Sequence, residues 1–536
     1  MHLTTSSPVL EPGLSHKKAL ETPVLFFLSA VFGVILVRSA WITEDAYITL
    51  RTVDNFINGY GLTWNITERV QAYTHPLWML ALSVLYFFTH EAFYTTLILS
   101  LACSLGAFLV VVKMMRRISL ATVAGLSVLF FSKAFIDFST SGLENPATHL
   151  LLAGFLLVFL SSQQAFDGKK IFWLSFIAAL ATVNRMDTIL FFLPALIYVL
   201  VRQRSWATLK WMALGFLPFI LWELFSVIYY GFPFPNTAYA KLNTGLARKD
   251  LLEAGYLYFI NSLHWDPITL LVIGTSLGIT VIQGNWREKM VFLGVSLYLV
   301  YVFWIGADYM SGRFFSAALL VAVVLLNQRF ASVSLSGGMI LLVFVVIMGF
   351  ISPTPTLTSI DDASFSTGRT DINSIADERS FYYQPSSLIY DKRKTIEPFH
   401  DWVFRGLQLK AEGVKVQPLL NIGFAGYFAG PKIYIIDRLA LADPLLARLA
   451  PIPTENFFAG HFERAIPDGY FESVKNNENR LKDPNLAQYY DKIRLLTRAP
   501  LWSVERFVTI WEMNTGKYDY LLTNYSSTGT GIIPKP

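Results

Sequence analysis

Long apolar runs recur from about residue 23 to about residue 350, each bounded by polar residues, and they constrain this chain more than anything else in it. A bilayer core offers no water to backbone N–H and C=O groups, so runs of this kind are expected to be helices that satisfy their own backbone. About eleven crossings fit, near residues 23–38, 93–112, 118–136, 147–163, 171–184, 188–203, 207–229, 267–283, 288–305, 314–327 and 337–352. Composition agrees. Of the 536 residues only 15% are charged, against about 25% in a soluble domain, and mean hydropathy is +0.45. The formal net charge of +5 invites a nucleic-acid reading. The basic residues are instead scattered between apolar runs, where they report topology, so the partner is membrane lipid and not nucleic acid. Cys103 is the only cysteine and lies in an apolar run, which excludes a disulfide framework and a cysteine metal site.

His16, Lys17 and Lys18 precede the first run, and the many later runs make it an uncleaved signal-anchor helix. Residues 76–88 are apolar but short for a span, so they read as an interfacial helix. With that segment left out, Lys113/Arg116/Arg117, Lys169/Lys170, Arg202/Arg204/Lys210, Arg287/Lys289 and Arg329 share one side with Lys17/Lys18. This is the positive-inside pattern. The opposite, external face receives a first loop of residues 39–92, a loop over 232–266, the segment 306–313 and everything after 353. Two units follow: a membrane unit over 1–352 and a small external α/β domain over 353–536. The second has β-like runs at 432–436 and 518–522 separated by Gly, Pro and Asp. No internal repeat is visible, which weighs against the inverted-repeat build of many transporters.

The first loop holds the chemistry. After Thr43-Glu44-Asp45, apolar residues at Ala46, Leu50, Val53 and Ile57 keep helical spacing, and Gly59-Tyr60-Gly61 supplies a stop. Two readings compete for the acidic pair. In one, Thr43 caps the helix and the carboxylates complement its positive end. In the other, one carboxylate is a general base and its neighbour orients it, a ligand or a metal, because adjacent helical residues point about 100° apart. A divalent metal therefore has a place in the scheme, with no ligand set specified. Arg51, two turns after Glu44, together with Arg69 and His75, are candidates for a donor phosphate; basic residues at a membrane surface also meet lipid headgroups. Glu144, Arg185, Asp187, Lys241, Asp308 and Arg313 sit near external ends of expected helices. Ionisable groups there either face a polar cavity or pair with one another, Arg185 with Asp187 for example. The glycine string 421–430 lacks the endings of a phosphate loop and reads as turn or packing glycines.

One long stretch is more specific than any single residue. It runs from Glu44-Asp45-Ala46-Tyr47 to Arg51, through Asn58-Gly59-Tyr60-Gly61-Leu62-Thr63-Trp64-Asn65, and on to Glu68-Arg69-Val70-Gln71-Ala72-Tyr73-Thr74-His75-Pro76-Leu77-Trp78. It resembles bacterial GT-C glycosyltransferases related to the terminal arabinofuranosyltransferases of mycobacterial cell walls and to a pilin arabinosyltransferase. Gly142-Leu143-Glu144, Arg185-Met186-Asp187, the run from Pro235-Asn236 to Lys241, the run from Gly306 to Phe314, Ile436 to Pro444, and Gly460-His461-Phe462-Glu463-Arg464 look like family signatures too. The resemblance implies a GT-C-like, polytopic α-helical fold in the bacterial inner membrane. It also implies a first-loop carboxylate as base and a polyprenyl-phosphate sugar donor bound at the outer leaflet.

 That is, the lipid carrier of the donor enters a cavity at the outer leaflet, and the sugar implied is D-arabinofuranose. His75 takes the place that a lysine near the donor phosphate occupies in more distant GT-C enzymes. Asn236 and His461 enter as supporting residues through their motifs. The acceptor is an external glycan or protein such as pilin, and relatives often carry two aspartates where this chain has Glu44-Asp45. The rivals are a lipid-linked glycan flippase or transporter, and a ligase or polymerase that moves whole glycans.

Overall fold

The computed structural model describes residues 12–115, 117–161, 166–242, 245–359, 375–389, 397–453 and 460–523, with residues 12–22 by backbone alone. Arg116 and the side chains of His16, Lys17 and Lys18 lie outside the described residues. Each of the eleven apolar stretches is helical over most of its described residues, because a chain of this composition satisfies its backbone within each segment. In order come α1 (Pro12–Ser39), α2 (Glu44–Ile57), α3 (Pro76–Thr89), α4 (Phe93–Lys113), α5 (Leu120–Phe131), α6 (Lys133–Asp137) and α7 (Asn145–Ser161). Next are α8 (Gly168–Asn184), α9 (Ile189–Gln203), α10 (Trp206–Gly215), α11 (Leu217–Tyr230), α12 (Asn236–Leu242) and α13 (Arg248–Trp265). The body ends with α14 (Pro267–Gln283), α15 (Trp286–Trp304), α16 (Phe315–Phe330) and α17 (Leu335–Ile351).

By length and apolarity, two of the described helical segments reach a span alone, Phe93–Lys113 and Met186–Gln203. Two bent pairs do so together: α10 with α11, bent by 52°, and α13 with α14, bent by 109°. Pro218 and Pro267 stand in the first turn of the second helix of each pair, where a missing N–H costs nothing. α16 is the hub, its residues 315–327 all buried. Arg287 donates to the Phe159 carbonyl (3.4 Å), Gln328 to Met114 (3.4 Å) and Arg329 to Gln283 (3.0 Å), so these loop ends gather at one end of the bundle.

At the other end the described residues after Ser352 form a cap. It holds α18 (Glu378–Ser386), α19 (Asp401–Glu412), β1 (Val416–Leu419), α20 (Gly423–Ala429), β2 (Tyr434–Asp437), α21 (Tyr470–Asn476), α22 (Pro484–Arg498), α23 (Val504–Asn514) and α24 (Asp519–Thr523). β1 and β2 pair in parallel, Val416 opposite Tyr434, with α20 as the crossover. The expected strand at 518–522 is instead helix α24, whose buried Leu521 packs in the same core as Leu496 and Ile493 of α22. The expected loop over 232–266 holds α12 and α13. In α13 the buried Gly255, Tyr258, Ser262 and Trp265 keep helical spacing, a signal masked by its charged first turn.

The first loop and the cap share their cores. Ile48, Trp64 and Ala72 pack with Leu409, Ile433 and Ile435, while Phe232 and Ala240 pack with Leu445 and Tyr490. α3 belongs to this layer at both ends. His75 at its start meets Thr49 (2.7 Å), and Tyr86 near its end donates to Asp54 (2.7 Å). A buried cluster fastens cap to bundle, with Lys133 on Asp137 and on Asp377 (3.0 Å), and Arg379 on Asp137 (3.2 Å).

Candidate active site

α2 starts where cap and bundle meet, and its first turn divides the acidic pair. Thr43 does not cap the helix with its side chain; its hydroxyl donates to Glu378 (3.0 Å). Glu44 is buried and accepts the backbone N–H groups of Gly423 and Phe424 (3.2 Å) at the start of α20. Only glycine fits at 423, since a Cβ there would lie 2.0 Å from the Glu44 carbonyl oxygen. The glycine string is therefore packing, as its spacing indicates. Asp45, about 100° further round the helix, turns elsewhere and accepts the Tyr309 hydroxyl (3.1 Å).

The fields on the two carboxyls differ. Burial pushes Glu44 upward, the charge of Asp45 adds to it, and the two backbone N–H groups oppose. Burial also raises Asp45, but Lys241, Arg313 and the Tyr309 hydrogen bond pull against it, and the net shift is upward. Glu378 is pushed well above the usual carboxylate range by burial, then by Asp45.

Beside this pair lies a second set of charges. Glu144 accepts Arg185 (3.0 Å), Arg313 (3.0 and 3.2 Å) and His75 Nδ1 (3.3 Å). Burial alone would raise Glu144, yet Arg313, His75 and Arg185 outweigh it and hold the carboxyl well below its ordinary value. Arg185 also bonds Asp187 (2.8 Å), the pairing weighed from sequence, and Arg313 bonds Asp308 (3.3 Å). Burial pushes His75 down to about 4, so the ring is neutral at pH 7. Glu144 needs a donor, which assigns the proton to Nδ1 and leaves Nε2 to accept from Thr49.

Arg185, Asp187, Lys241, Asp308 and Arg313 line one cavity of about 400 Å³. Thr74, Gln71 and Glu223 add polar groups; Trp222, Leu242, Leu251, Ile305 and Phe314 give it an apolar wall. Arg185 and Arg313 share three carboxylates, whereas Lys241 has no ion-pair partner among the described residues. Three cations facing one partly apolar space suit an anionic head on an apolar tail.

Five further sequence candidates lie off this cavity wall. Arg51 is buried, stacks on Trp64 (4.3 Å), and spends its guanidinium on the carbonyls of Trp64 (2.9 Å), Gly426 and Ile433 (2.8 Å). It does share a face with Glu44, but that face meets the cap and not the cavity. Arg69 clamps the carbonyls of Tyr229 (3.2 Å), Leu496 (3.4 Å) and Ala499. Asn236 donates to the carbonyls of Ala440 (2.9 Å), Leu441 (3.2 Å) and Asp443 (3.0 Å), tying α12 to the cap. His75 stands behind Glu144 rather than on the cavity wall, and His461 sets its ring edge-on to Tyr309 (4.2 Å). Sequence reading missed Tyr309, which lies inside a quoted motif, as well as Glu378 and Glu223, whose short contexts carry no signal. Among the described residues, no group of three or more His, Cys, Asp or Glu side chains is placed to hold a metal ion.

Apolar helices around a cationic chamber, closed by a cap, define a helical membrane protein with a polar site at one end. The chain is 24% identical to the terminal β-(1→2)-arabinofuranosyltransferase of Mycobacterium tuberculosis, over 82% of its own length and 83% of the relative's. It is 25% identical to the enzyme of that name from Corynebacterium glutamicum, over 54% of its own length and 48% of the relative's. No family model matches the chain. A similar solved structure is that of ArnT from Cupriavidus metallidurans bound to undecaprenyl phosphate, at TM-score 0.47 and 11% identity, covering 78% of this chain and 85% of that one. The resemblance read from the first-loop motif is met, and the chain is a relative of glycosyltransferases along most of its length.

Proposed function

We propose that this glycosyltransferase moves a sugar, D-arabinofuranose, from a polyprenyl-phosphate donor to a glycan or protein acceptor outside the cytoplasm, with Asp45 as general base. The observation that carries the reading is the position of Asp45, held by Tyr309 and within the fields of Lys241 and Arg313 on the cavity wall. In the step, an acceptor hydroxyl attacks the anomeric carbon and gives its proton to Asp45. The bond from that carbon to the phosphate oxygen breaks, and polyprenyl phosphate leaves with the electron pair. Lys241, Arg313 and Arg185 oppose the charge it gains. Glu144 holds the two guanidiniums in place, and His75 orients Glu144. Glu223, whose Oε1 meets no donor among the described residues, is left to accept a substrate hydroxyl.

In this reading the unit over 1–352 crosses the bacterial inner membrane about eleven times, and the site lies at its external face. The cap, within the unit read as 353–536, adds Gly460 and Phe462 to the cavity wall. The two relatives' names and the motif likeness support the choice of sugar. Purified protein given a panel of polyprenyl-phosphate sugars, with products read by mass spectrometry, tests it. Transfer from the arabinofuranose donor is expected. Success with a hexose donor alone would overturn the sugar, and transfer from none would overturn the donor class.

A further inference from the structure

We propose that α23 is an interfacial helix that seats the cap on the lipid surface. Its inner face is set by Arg506, Ile510 and Met513, all buried and spaced four and three apart. The opposite face carries Val504, Phe507, Val508 and Trp511, all exposed, and Trp502 just before the helix extends it through a ring contact with Phe507 (6.2 Å). The exposure is large for apolar groups: 75% for Trp502, 79% for Val504 and 73% for Trp511. Glu505 and Glu512 share one flank of the helix, leaving this face free of charge.

The occupant follows from where the helix lies. Arg506 donates to the carbonyls of Ile228 (2.7 Å) and Tyr229 (3.0 Å), and Asn514 to that of Gly231 (2.8 Å). α23 thus sits on the end of α11, the second half of a bent apolar pair. α11 shows exposed Leu217, Ile220, Leu221 and Leu224, an apolar face that the described residues leave uncovered. The end of a membrane helix marks headgroup depth, where tryptophan with its apolar body and polar N–H is favoured. The exposed apolar residues of α11 lead toward the end that carries α23, and one bilayer surface would cover both. The cap is then held level with the cavity mouth.

The test uses the full chain reconstituted in phosphatidylcholine/phosphatidylglycerol vesicles. Cys103→Ser removes the only cysteine, and spin labels are placed at Trp511→Cys, Val508→Cys and, as a solvent control on α21, Lys475→Cys. Collision with oxygen and with a nickel chelate is measured at each. The labels at 508 and 511 are expected to show an oxygen-to-nickel ratio severalfold above that at 475. Equal ratios would overturn the proposal. So would labels shielded from both reagents in a particle of twice the mass, which would give the face to a second copy of the chain. Lipid contact is read without sugar transfer, so this outcome stands apart from that of the proposed activity.

Discussion

The division of Glu44 from Asp45 can be tested by two near-isosteric changes. Asp45→Asn removes the proposed base and leaves the Tyr309 hydroxyl an oxygen to bond. A positioned base contributes about 10²–10⁴-fold, so at 1.36 kcal/mol per decade the barrier should rise by about 3–5 kcal/mol. Glu44→Gln keeps an oxygen facing the Gly423 and Phe424 N–H groups and loses only charge assistance, about 1 kcal/mol for each bond. Burial already favours the neutral form of Glu44, which makes that loss an upper bound. Initial rates in proteoliposomes from a polyprenyl-phosphate arabinofuranose donor are the assay, with unfolding temperature in parallel. The expectation is a nearly inactive, folded Asp45→Asn and a Glu44→Gln within about tenfold of the parent. An active Asp45→Asn beside an inactive but folded Glu44→Gln would refute the reasoning.

Other expectations follow from the same contacts. Because the Asp45 pKa is raised, the acidic limb of the pH–rate profile should lie above the ordinary aspartate value of about 3.9. Tyr309→Phe removes a bond that holds it down, so the limb should move to still higher pH; a shift to lower pH would contradict the assignment. Arg51→Met takes a donor from the buried carbonyls of Gly426 and Ile433, while that of Trp64 keeps Asn55, and should cost about 2–6 kcal/mol of stability, read by thermal unfolding and by proteolysis of the cap, with donor KM unchanged. A raised KM at unchanged stability would restore its phosphate role. Asp443 is raised to about 8 by burial, above its unfolded value, so its contribution to stability is present below about pH 4 and lost as pH rises through 8. Asp443→Asn should therefore gain unfolding temperature relative to the parent between pH 6 and pH 9, and a constant difference would count against it.

Much of the body was legible in the sequence because a bilayer makes each helix satisfy its own backbone, so length and apolarity suffice to find it. The same physics hid α13, where charged residues in the first turn outweighed a buried face of Gly255, Tyr258, Ser262 and Trp265. The α24 segment was misread because five residues carry too little period to separate helix from strand. Tyr309 and Glu378 reach the site through a bridge between Met310 and Ala376, a contact no local pattern encodes.

For the acidic pair, the sequence by itself determined that two carboxylates begin an amphipathic helix, with Arg51 on the face of Glu44, because helical periodicity is local. Which carboxylate faces the cations of the cavity wall was decided only by tertiary structure. Glu44 and Arg51 are both taken up by α20, some 380 residues later, and Asp45 is left with Tyr309, Lys241 and Arg313. The physical reason is that a buried polar group must find a partner, and the chain supplies those partners from distant segments that only folding brings together.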